Sequence, residues 1–295
     1  MATAQSVSYV VGAGAVDARA MKAGATHTDA DLAHRVIRRS GLWLVAGTAG
    51  RDTGVFLLDT GAPGLLLHRA PSPQAIATER LEGATGQVLA TRFEVPSLEV
   101  ANLRQTSVPA IGIDLTAARE LLGEDLIGII GYAQLADQRV QLDFRHRTIR
   151  FGESPPTTAE GRVYEFDFQA HLPTVRIGVG ERAYDLAFDT GSEVNVFDDA
   201  LLPELNESLR GRPSYKDVSG VDANVERAPY ALVRLALLED DHYSNRPFAF
   251  LDLDGLRQNL PALDGVLGVD FWGVDALVID YPNRRITTVG ADPSD

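Results

Sequence analysis

Short apolar runs separated by glycine-rich turns dominate the hydrophobic pattern from residue 36 onward. Runs of this length that are rich in Val, Leu, Ile and Phe predict buried strands. The pattern predicts a hairpin over residues 42–58, with its turn between Gly47 and Gly54. Further strands are predicted over 6–11, 87–93, 98–100 and 106–111, and one helix over 115–122. Residues 65–67 are predicted to return to the core, and the segments 126–131 and 140–149 follow the helix.

Two of the predicted strands each deliver an acid and a hydroxyl into a glycine turn. The first lies in residues 54–62 and contains Asp59, and the second lies in residues 184–192 and contains Asp189, 130 positions later. An acid at the end of an apolar strand is costly to bury unless it is hydrogen-bonded or paired. The two acids are therefore predicted to meet.

Other landmarks recur at fixed offsets along the chain. Ile-Ile-Gly at residues 129–131 recurs as Val-Leu-Gly at residues 266–268, 137 positions later. The same offset relates residues 143–149 to residues 280–286. Fixed offsets of this kind indicate an internal duplication.

The duplication predicts a first lobe over 32–154 and a second lobe over 155–295. Residues 1–31, which are rich in Ala, Gly and Thr, are predicted to be a lead-in segment. The proline-containing stretch 152–161 is the predicted linker. Neither lobe alternates strands with long helices, so a parallel α/β sheet is not expected. Short strands with closely spaced turns predict a mainly β, largely antiparallel fold, with a ligand cleft between the two pseudo-symmetric copies.

A third Asp-Thr-Gly, at residues 52–54, precedes its strand instead of following it. All three residue types are also common in turns. The residues 130 positions later, 182–184, contain no pair of acid and hydroxyl. We therefore interpret residues 52–54 as part of a hairpin turn.

Composition narrows the classes of partner and compartment. The net charge of -14 over 295 residues disfavours nucleic acid and anionic membranes, because both require a basic surface. Cysteine is absent, which excludes disulfides, thiolate metal sites and cysteine nucleophiles. No apolar run is long enough to span a membrane. We expect an exported or periplasmic protein whose signal peptide is not part of this chain, with the cytoplasm as the alternative.

Taken together, the segments 56–62, 129–131, 188–192 and 266–268 resemble the landmarks of pepsin-like and retropepsin-like aspartic proteases. The resemblance extends over residues 35–289. The short lobes are more similar to a single chain with two retropepsin-like lobes than to a full-sized pepsin. The resemblance implies a bilobal acid-protease fold with a cleft between two β lobes.

The resemblance also implies an aspartic endopeptidase. Asp59 and Asp189 would be the catalytic pair, which activates a water against a peptide bond of an extended polypeptide substrate. Two adjacent carboxyl groups hold one proton between them over a range of pH. No metal and no organic cofactor is implied, and a monomer suffices because one chain carries both motifs. Residues 1–31 are interpreted as a loosely ordered lead-in, with a removable pro-segment as the alternative.

The two loops would supply supporting residues. By the resemblance, Thr60 and Thr190 would hydrogen-bond across the junction of the lobes to the opposite loop. Gly61 and Gly191 would allow backbone N–H groups to approach the carboxylates closely.

The residue after each triplet differs between the two copies. Ser192 can donate a hydrogen bond to Asp189, whereas Ala62 has no hydroxyl to offer Asp59. A carboxylate that accepts a hydrogen bond ionises more readily. We therefore predict that Asp189 is the more readily ionised partner.

Glycine-bounded hairpin tips are the candidates for a flap that covers the cleft and excludes water. The alternative is that they are ordinary surface hairpins. No tyrosine stands at the first tip, which is therefore more similar to glycine-rich retropepsin flaps than to pepsin flaps. The candidate flap residues are Gly83, Ala84, Thr85 and Gly86 in the first lobe and Ser219 and Gly220 in the second.

Other classes of protein fit the sequence less well. The six histidines are scattered without metal-ligand spacing, which favours surface or hydrogen-bonded core roles. No Gly-x-Ser-x-Gly stands next to a strand, so a serine hydrolase would lack its nucleophile. The main alternative is a catalytically inactive pepsin-fold protein that binds peptides or inhibits a partner, although both triplets are intact. A second alternative is a homodimer in which each lobe pairs with its copy in another chain.

Overall fold

The computed structural model describes residues 6–7, 25–27, 33–39, 41–69, 78–82, 87–152, 161–219 and 225–290. The protein is mainly β, with 60% strand and 12% helix, and its strands form two large sheets. The prediction of a mainly β fold is confirmed. Most of the predicted lead-in segment and of the predicted linker lies outside the described residues.

The first half of the chain, residues 33–152, forms most of the larger sheet; of the two short strands upstream of it, the first joins the other sheet and the second joins this one. The strands are β1 (Ser6–Val7), β2 (Ala25–His27), β3 (His34–Arg39), β4 (Leu42–Ala49), β5 (Asp52–Leu58), β6 (Leu65–His68), β7 (Thr78–Glu82), β8 (Gln87–Val100), β9 (Leu103–Ile113), β10 (Leu126–Ile130), β11 (Arg139–Asp143) and β12 (Thr148–Phe151). The helices are α1 (Thr116–Leu122) and α2 (Tyr132–Leu135).

The second half, residues 161–290, forms most of the second sheet. Its strands are β13 (Arg162–Glu165), β14 (Asp167–Gln169), β15 (Leu172–Val179), β16 (Arg182–Asp189), β17 (Asn195–Asp198), β18 (Ser214–Ser219), β19 (Val225–Leu238), β20 (Asp241–Leu251), β21 (Gly265–Gly268), β22 (Ala276–Asp280) and β23 (Arg285–Val289). Its α-helices are α3 (Leu202–Leu205) and α4 (Asp254–Arg257), and short 3-10 turns cover Asp199–Leu201, Asn206–Ser208 and Val269–Phe271. Within the described residues, no helix combines the length and the apolar character needed to cross a membrane.

Strand pairing repeats between the two halves. Leu44 of β4 pairs with Leu57 of β5, and Thr174 of β15 pairs with Ala187 of β16, both 130 positions later. The parallel pairs β5–β10 and β6–β9 recur as β16–β21 and β17–β20. The antiparallel pair β6–β10 recurs as β17–β21. The internal repeat predicted from the sequence is therefore present in the hydrogen-bonding pattern, whereas the domain boundaries stay a prediction.

Strands of both halves meet in the larger sheet. Its order is β13-β23-β22-β11-β12-β3-β4-β5-β10-β6-β9-β8-β7, with β2 beside β9. β11 and β22 pair antiparallel across the two halves, with Leu142 opposite Leu277. The nine-stranded sheet, ordered β1-β18-β19-β20-β17-β21-β16-β15-β14, belongs to the second half apart from β1. Continuous hydrogen bonding across β11 and β22 therefore ties the halves together.

The apolar core anchors both strands that end in an acid. One cluster of buried side chains includes residues from both halves, and a smaller cluster lies within each half. Leu58 and Phe188, which directly precede the two acids, belong to the shared cluster and are almost fully buried. Burial of such a side chain contributes about 1.5–3 kcal/mol. The backbone that leads to each acid is thus held by packing.

The predicted first hairpin needs one correction. Its turn consists of Gly50 and Arg51 alone, because Ala49 already pairs with Asp52. The third Asp-Thr-Gly, residues 52–54, therefore begins β5 instead of forming the turn. Pairing with β4 satisfies its backbone groups, which local turn propensity cannot anticipate.

Other local predictions have mixed outcomes. The two strands predicted over 87–93 and 98–100 are one long strand, β8, because β9 pairs along most of its length. The helix predicted over 115–122 is confirmed as α1. Of the strand predicted over 6–11, only Ser6–Val7 lies within the described residues.

Candidate active site

Asp59 and Asp189 stand at corresponding ends of buried strands. The Asp59 N–H donates to the Ile130 carbonyl of β10 at 3.0 Å, and Asp189 pairs with Gly268 of β21. Neither acid has exposed surface. The Gly61 N–H lies 2.7 Å from Asp59 Oδ1 and 3.2 Å from Asp189 Oδ1. The fold therefore brings the two acids to one buried site, where a single backbone N–H contacts both.

A glycine packs against each acid-bearing loop. A Cβ added at Gly131 would lie 2.3 Å from the Ala62 carbonyl oxygen, and one added at Gly268 would lie 2.6 Å from the Ser192 carbonyl oxygen. Both distances are shorter than any Cβ contact tolerates. The hydrophobic-hydrophobic-glycine segments of the sequence thus end in glycine because the loops leave no space for a side chain.

Four hydrogen bonds of two threonines join the loops. The Thr60 hydroxyl donates to the Phe188 carbonyl at 2.7 Å and accepts from the Thr190 N–H at 3.0 Å. The Thr190 hydroxyl donates to the Leu58 carbonyl at 2.9 Å and accepts from the Thr60 N–H at 3.1 Å. Both side chains are fully buried. The predicted hydrogen bonds between opposite loops are therefore present, and they fix the acids relative to one another.

Each loop also places a glycine against the carboxyl group of the other loop. Within its own loop, each glycine donates a hydrogen bond to the acid: the Gly191 N–H to Asp189 Oδ1 at 2.7 Å, and the Gly61 N–H to Asp59 Oδ1 at 2.7 Å. A Cβ added at Gly191 would lie 2.6 Å from Asp59 Cγ, and one added at Gly61 would lie 2.9 Å from Asp189 Cγ. Glycine is required at both positions because the opposing carboxyl group fills the space of a side chain.

The two carboxyl groups differ in their electrostatics. Burial raises the pKa of both above the ordinary aspartate value. The charge of Asp189 and the hydrogen bond between the pair raise the pKa of Asp59 further, to well above that value. The same hydrogen bond, with the N–H groups of Gly191 and Gly61, lowers the pKa of Asp189 and offsets part of the effect of burial. The pKa of Asp59 is therefore raised more than that of Asp189, and the pair titrates as a coupled unit.

The reason predicted for this asymmetry is wrong. The Ser192 hydroxyl donates to the Val194 carbonyl at 2.7 Å and not to Asp189. The direction of the asymmetry agrees with the prediction, but the interaction between the two carboxyl groups causes it, since that interaction raises the pKa of Asp59 and lowers that of Asp189. A serine in a tight loop turns towards the nearest backbone acceptor, and here that acceptor is two residues away.

The candidate flap residues lie mostly outside the described residues. These are Gly83, Ala84, Thr85 and Gly86 at the first hairpin and Gly220 at the second. The strands on either side form two corresponding hairpins, β7–β8 and β18–β19. Ser219 is the last residue of β18, pairs with Val225 and is buried. The role of these hairpins as a cover stays a prediction.

The described residues form a groove away from the acids. It has a volume of about 880 Å³ and lies between β14, the loop at 259–262 and the turn at 283–284. Asp59 and Asp189 do not line it. Because both acids lack exposed surface, a substrate reaches them only if the residues that cover them move.

Three aromatic residues near the acids were not predicted from the sequence. His171 Nε2 lies 2.9 Å from the Gly61 carbonyl oxygen, and the ring of Tyr132 lies 6.2 Å from the His171 ring. Tyr281 is fully buried, and the charges of Asp59 and Asp189 add to burial in raising its pKa. A signal for His171 exists in the sequence, since the internal repeat places it opposite Gly41 and a histidine breaks the match.

No family model matches the chain, and no curated protein matches it. Among the described residues, no group of three or more His, Asp or Glu side chains is arranged to hold a metal ion. The geometry of the two loops is therefore the main indication of function.

Proposed function

We propose that this protein is an aspartic endopeptidase of bilobal acid-protease fold, with lobes corresponding to residues 32–154 and 155–295. The observation that carries the proposal is the meeting of two acids from equivalent loops on one backbone N–H, that of Gly61. A buried pair of acids is costly and needs a compensating role or partner. A pair with perturbed pKa values is typical of an active site that moves protons.

The chemistry assigns one role to each acid. Ionised Asp189 accepts a proton from a water as the water oxygen bonds to the peptide carbonyl carbon, and Asp59 gives its proton to the carbonyl oxygen. When the tetrahedral intermediate collapses, the proton on Asp189 passes to the amide nitrogen, Asp59 regains a proton from the hydroxyl and the C–N bond breaks. The pair returns to its starting protonation state. Oδ2 of each acid, which is buried without a hydrogen-bond partner among the described residues, is the oxygen available for these transfers.

The expected substrate is an extended polypeptide that lies between hairpins β7–β8 and β18–β19. Among the described residues, the three large apolar side chains with the greatest exposure belong to these hairpins. They are Leu89, Tyr215 and Val225, which are 50%, 64% and 56% exposed. Exposed apolar side chains on paired strands suit alternate side chains of an extended peptide.

A catalytically inactive peptide-binding protein is the second candidate. The complete burial of both acids favours it, because a working protease must expose them to substrate. The intact threonine network favours the enzyme, since it orients the carboxyl groups more strictly than a binding groove requires.

Cleavage of an unbiased peptide mixture tests the proposal. Wild type, Asp59→Asn, Asp189→Asn and Asp52→Asn are compared from about pH 3 to about pH 8, which brackets carboxyl titration. Asp52 is the matched control, because it begins the third Asp-Thr-Gly but is exposed on β5. Wild type and Asp52→Asn are expected to cleave, and both dyad variants to be inactive. Activity that survives either dyad substitution overturns the mechanism. Inactivity of folded wild type favours the binding protein.

A further inference from the structure

His171 contacts the active-site loop of the other half of the chain. It follows Ala170 in the two-residue turn between β14 and β15, where Gln169 pairs with Leu172. The side chain is buried, and its Nε2 lies 2.9 Å from the Gly61 carbonyl oxygen, 110 positions earlier. A carbonyl oxygen only accepts hydrogen bonds, so Nε2 carries a proton and donates it. The imidazole can do this both as the neutral Nε2–H tautomer and as the cation.

The glycine that accepts this hydrogen bond also contacts both acids. The N–H of Gly61 donates to Asp59 Oδ1 at 2.7 Å and lies 3.2 Å from Asp189 Oδ1. A hydrogen bond that holds the Gly61 carbonyl restrains the orientation of the glycine and therefore the direction of its N–H. His171 is thus linked to the carboxyl groups through the backbone of Gly61.

Packing fixes the position of the imidazole. The Tyr132 ring lies 6.2 Å from the His171 ring, and the Tyr132 N–H donates to the Ala62 carbonyl at 2.8 Å. Phe168 packs edge-on against Tyr132 at 5.4 Å between ring centroids. The donor thus comes from an ordered position and not from a mobile surface side chain.

The first half has no equivalent donor. Gly41 is the residue 130 positions before His171, and it has no side chain to reach the opposite loop. The Glu193 side chain fills the space beside it, since a Cβ added at Gly41 would lie 2.6 Å from Glu193 Oε1. The contact is therefore a departure from the internal symmetry, on the loop whose N–H touches both acids.

We infer that His171 is a positioning residue for the proposed protease site: its Nε2–H holds the Gly61 carbonyl and so keeps the Gly61 N–H directed at the carboxyl groups of Asp59 and Asp189. The inference rests on the proposed function for its effect on catalysis. The effect on Asp59 itself does not require turnover.

Carboxyl titration by NMR tests the effect on Asp59 directly. His171→Phe keeps a planar ring against Tyr132 but removes the donor, whereas His171→Gln keeps an N–H donor. Loss of the donor loosens the hydrogen bond from the Gly61 N–H to Asp59 Oδ1 and is expected to raise the apparent pKa of Asp59 by about 0.5 pH unit. Glutamine is expected to restore most of the wild-type value. The other titratable groups that act on Asp59 are Asp189 and Tyr281, and both remain in every variant.

Kinetics provide the second readout. His171→Phe is expected to lower kcat about tenfold to a hundredfold with little change in KM, and to move the pH profile of activity to higher pH. His171→Gln is expected to recover activity. His146→Phe is the matched control, because His146 lies in an exposed turn and pairs with Asp143. Equal loss in the Phe and Gln variants without a shift of the profile means a structural role only and overturns the inference.

Wild-type protein supplies a test that needs no substitution. The ring nitrogens of His171 are observed by 15N NMR, and Nε2 is expected to stay protonated throughout the titration of Asp59. A deprotonated Nε2 overturns the inference. If Asp59→Asn and Asp189→Asn retain activity, the proposed function fails. The two NMR measurements still test whether His171 acts on Asp59, because they do not depend on activity. If both are inactive but His171→Phe matches wild type in activity and titration, the inference alone fails.

Discussion

Replacement of Thr60 by valine is the sharpest test of how the two loops are held together. Valine keeps the shape of threonine and removes only the hydroxyl. Two hydrogen bonds are lost, one donated to the Phe188 carbonyl and one accepted from the Thr190 N–H. Since Thr60 and Thr190 are fully buried, water cannot replace either bond.

The expected cost follows from these two orphaned backbone groups. A buried donor or acceptor without a partner costs about 1–3 kcal/mol. Thr60→Val should therefore lower the free energy of unfolding by roughly 2–5 kcal/mol, a large part of the ~5–15 kcal/mol typical of a folded protein. Thr190→Val removes the other two bonds of the network and should cost a similar amount.

Urea denaturation followed by tryptophan fluorescence measures the effect. The chain has two tryptophans, Trp43 and Trp272, which are buried in the first and second halves of the chain. Thr53→Val is the matched control, because Thr53 is exposed on β5 and should change stability by no more than about 0.5 kcal/mol. The double variant Thr60→Val/Thr190→Val then shows whether the four bonds act independently.

A Thr60→Val variant that is as stable as the Thr53→Val control would contradict this prediction. That result would mean that the bonds between the loops contribute nothing net to the folded state. A loss of activity without a loss of stability would contradict the magnitude but not the geometry.

Two further predictions concern the acids and the glycines beside them. Burial raises the folded-state pKa of both acids. Protonation of the acids therefore contributes its full amount to the free energy of unfolding below about pH 3.9, and this contribution is lost as pH rises through the raised pKa values. Asp59→Asn should therefore melt at a higher temperature than wild type at pH 7, with the difference vanishing in acid; a lower melting temperature at pH 7 would contradict this. Gly191→Ala places a Cβ 2.6 Å from Asp59 Cγ and should lower peptide cleavage about a hundredfold, whereas Gly178→Ala, whose nearest neighbour would be 3.4 Å away, should retain activity. Equal activity of the two variants would argue against steric pairing of the loops.

Much of the strand content and the location of the acids could be predicted from the sequence. Apolar runs, turn residues and the repeat of Asp59 at Asp189 are local or periodic signals, and they remain visible without a fold. The cross-loop bonds of Thr60 and Thr190 were also expected, from the resemblance to aspartic proteases. The strands and the acids could be predicted because they depend on residue type and spacing, whereas the threonine bonds were expected only by analogy with the family.

Tertiary structure decided the features that depend on which groups meet. Ser192 was expected to donate to Asp189, but the loop conformation gives its hydroxyl a nearer acceptor at Val194. His171 lies 110 positions from Gly61, and no local pattern indicates that its Nε2 reaches that carbonyl. The sequence determined which side chains end the two strands. The packing of the halves decided their hydrogen-bond partners and their burial, because a hydrogen bond depends on distances of a few ångströms that only the folded chain defines.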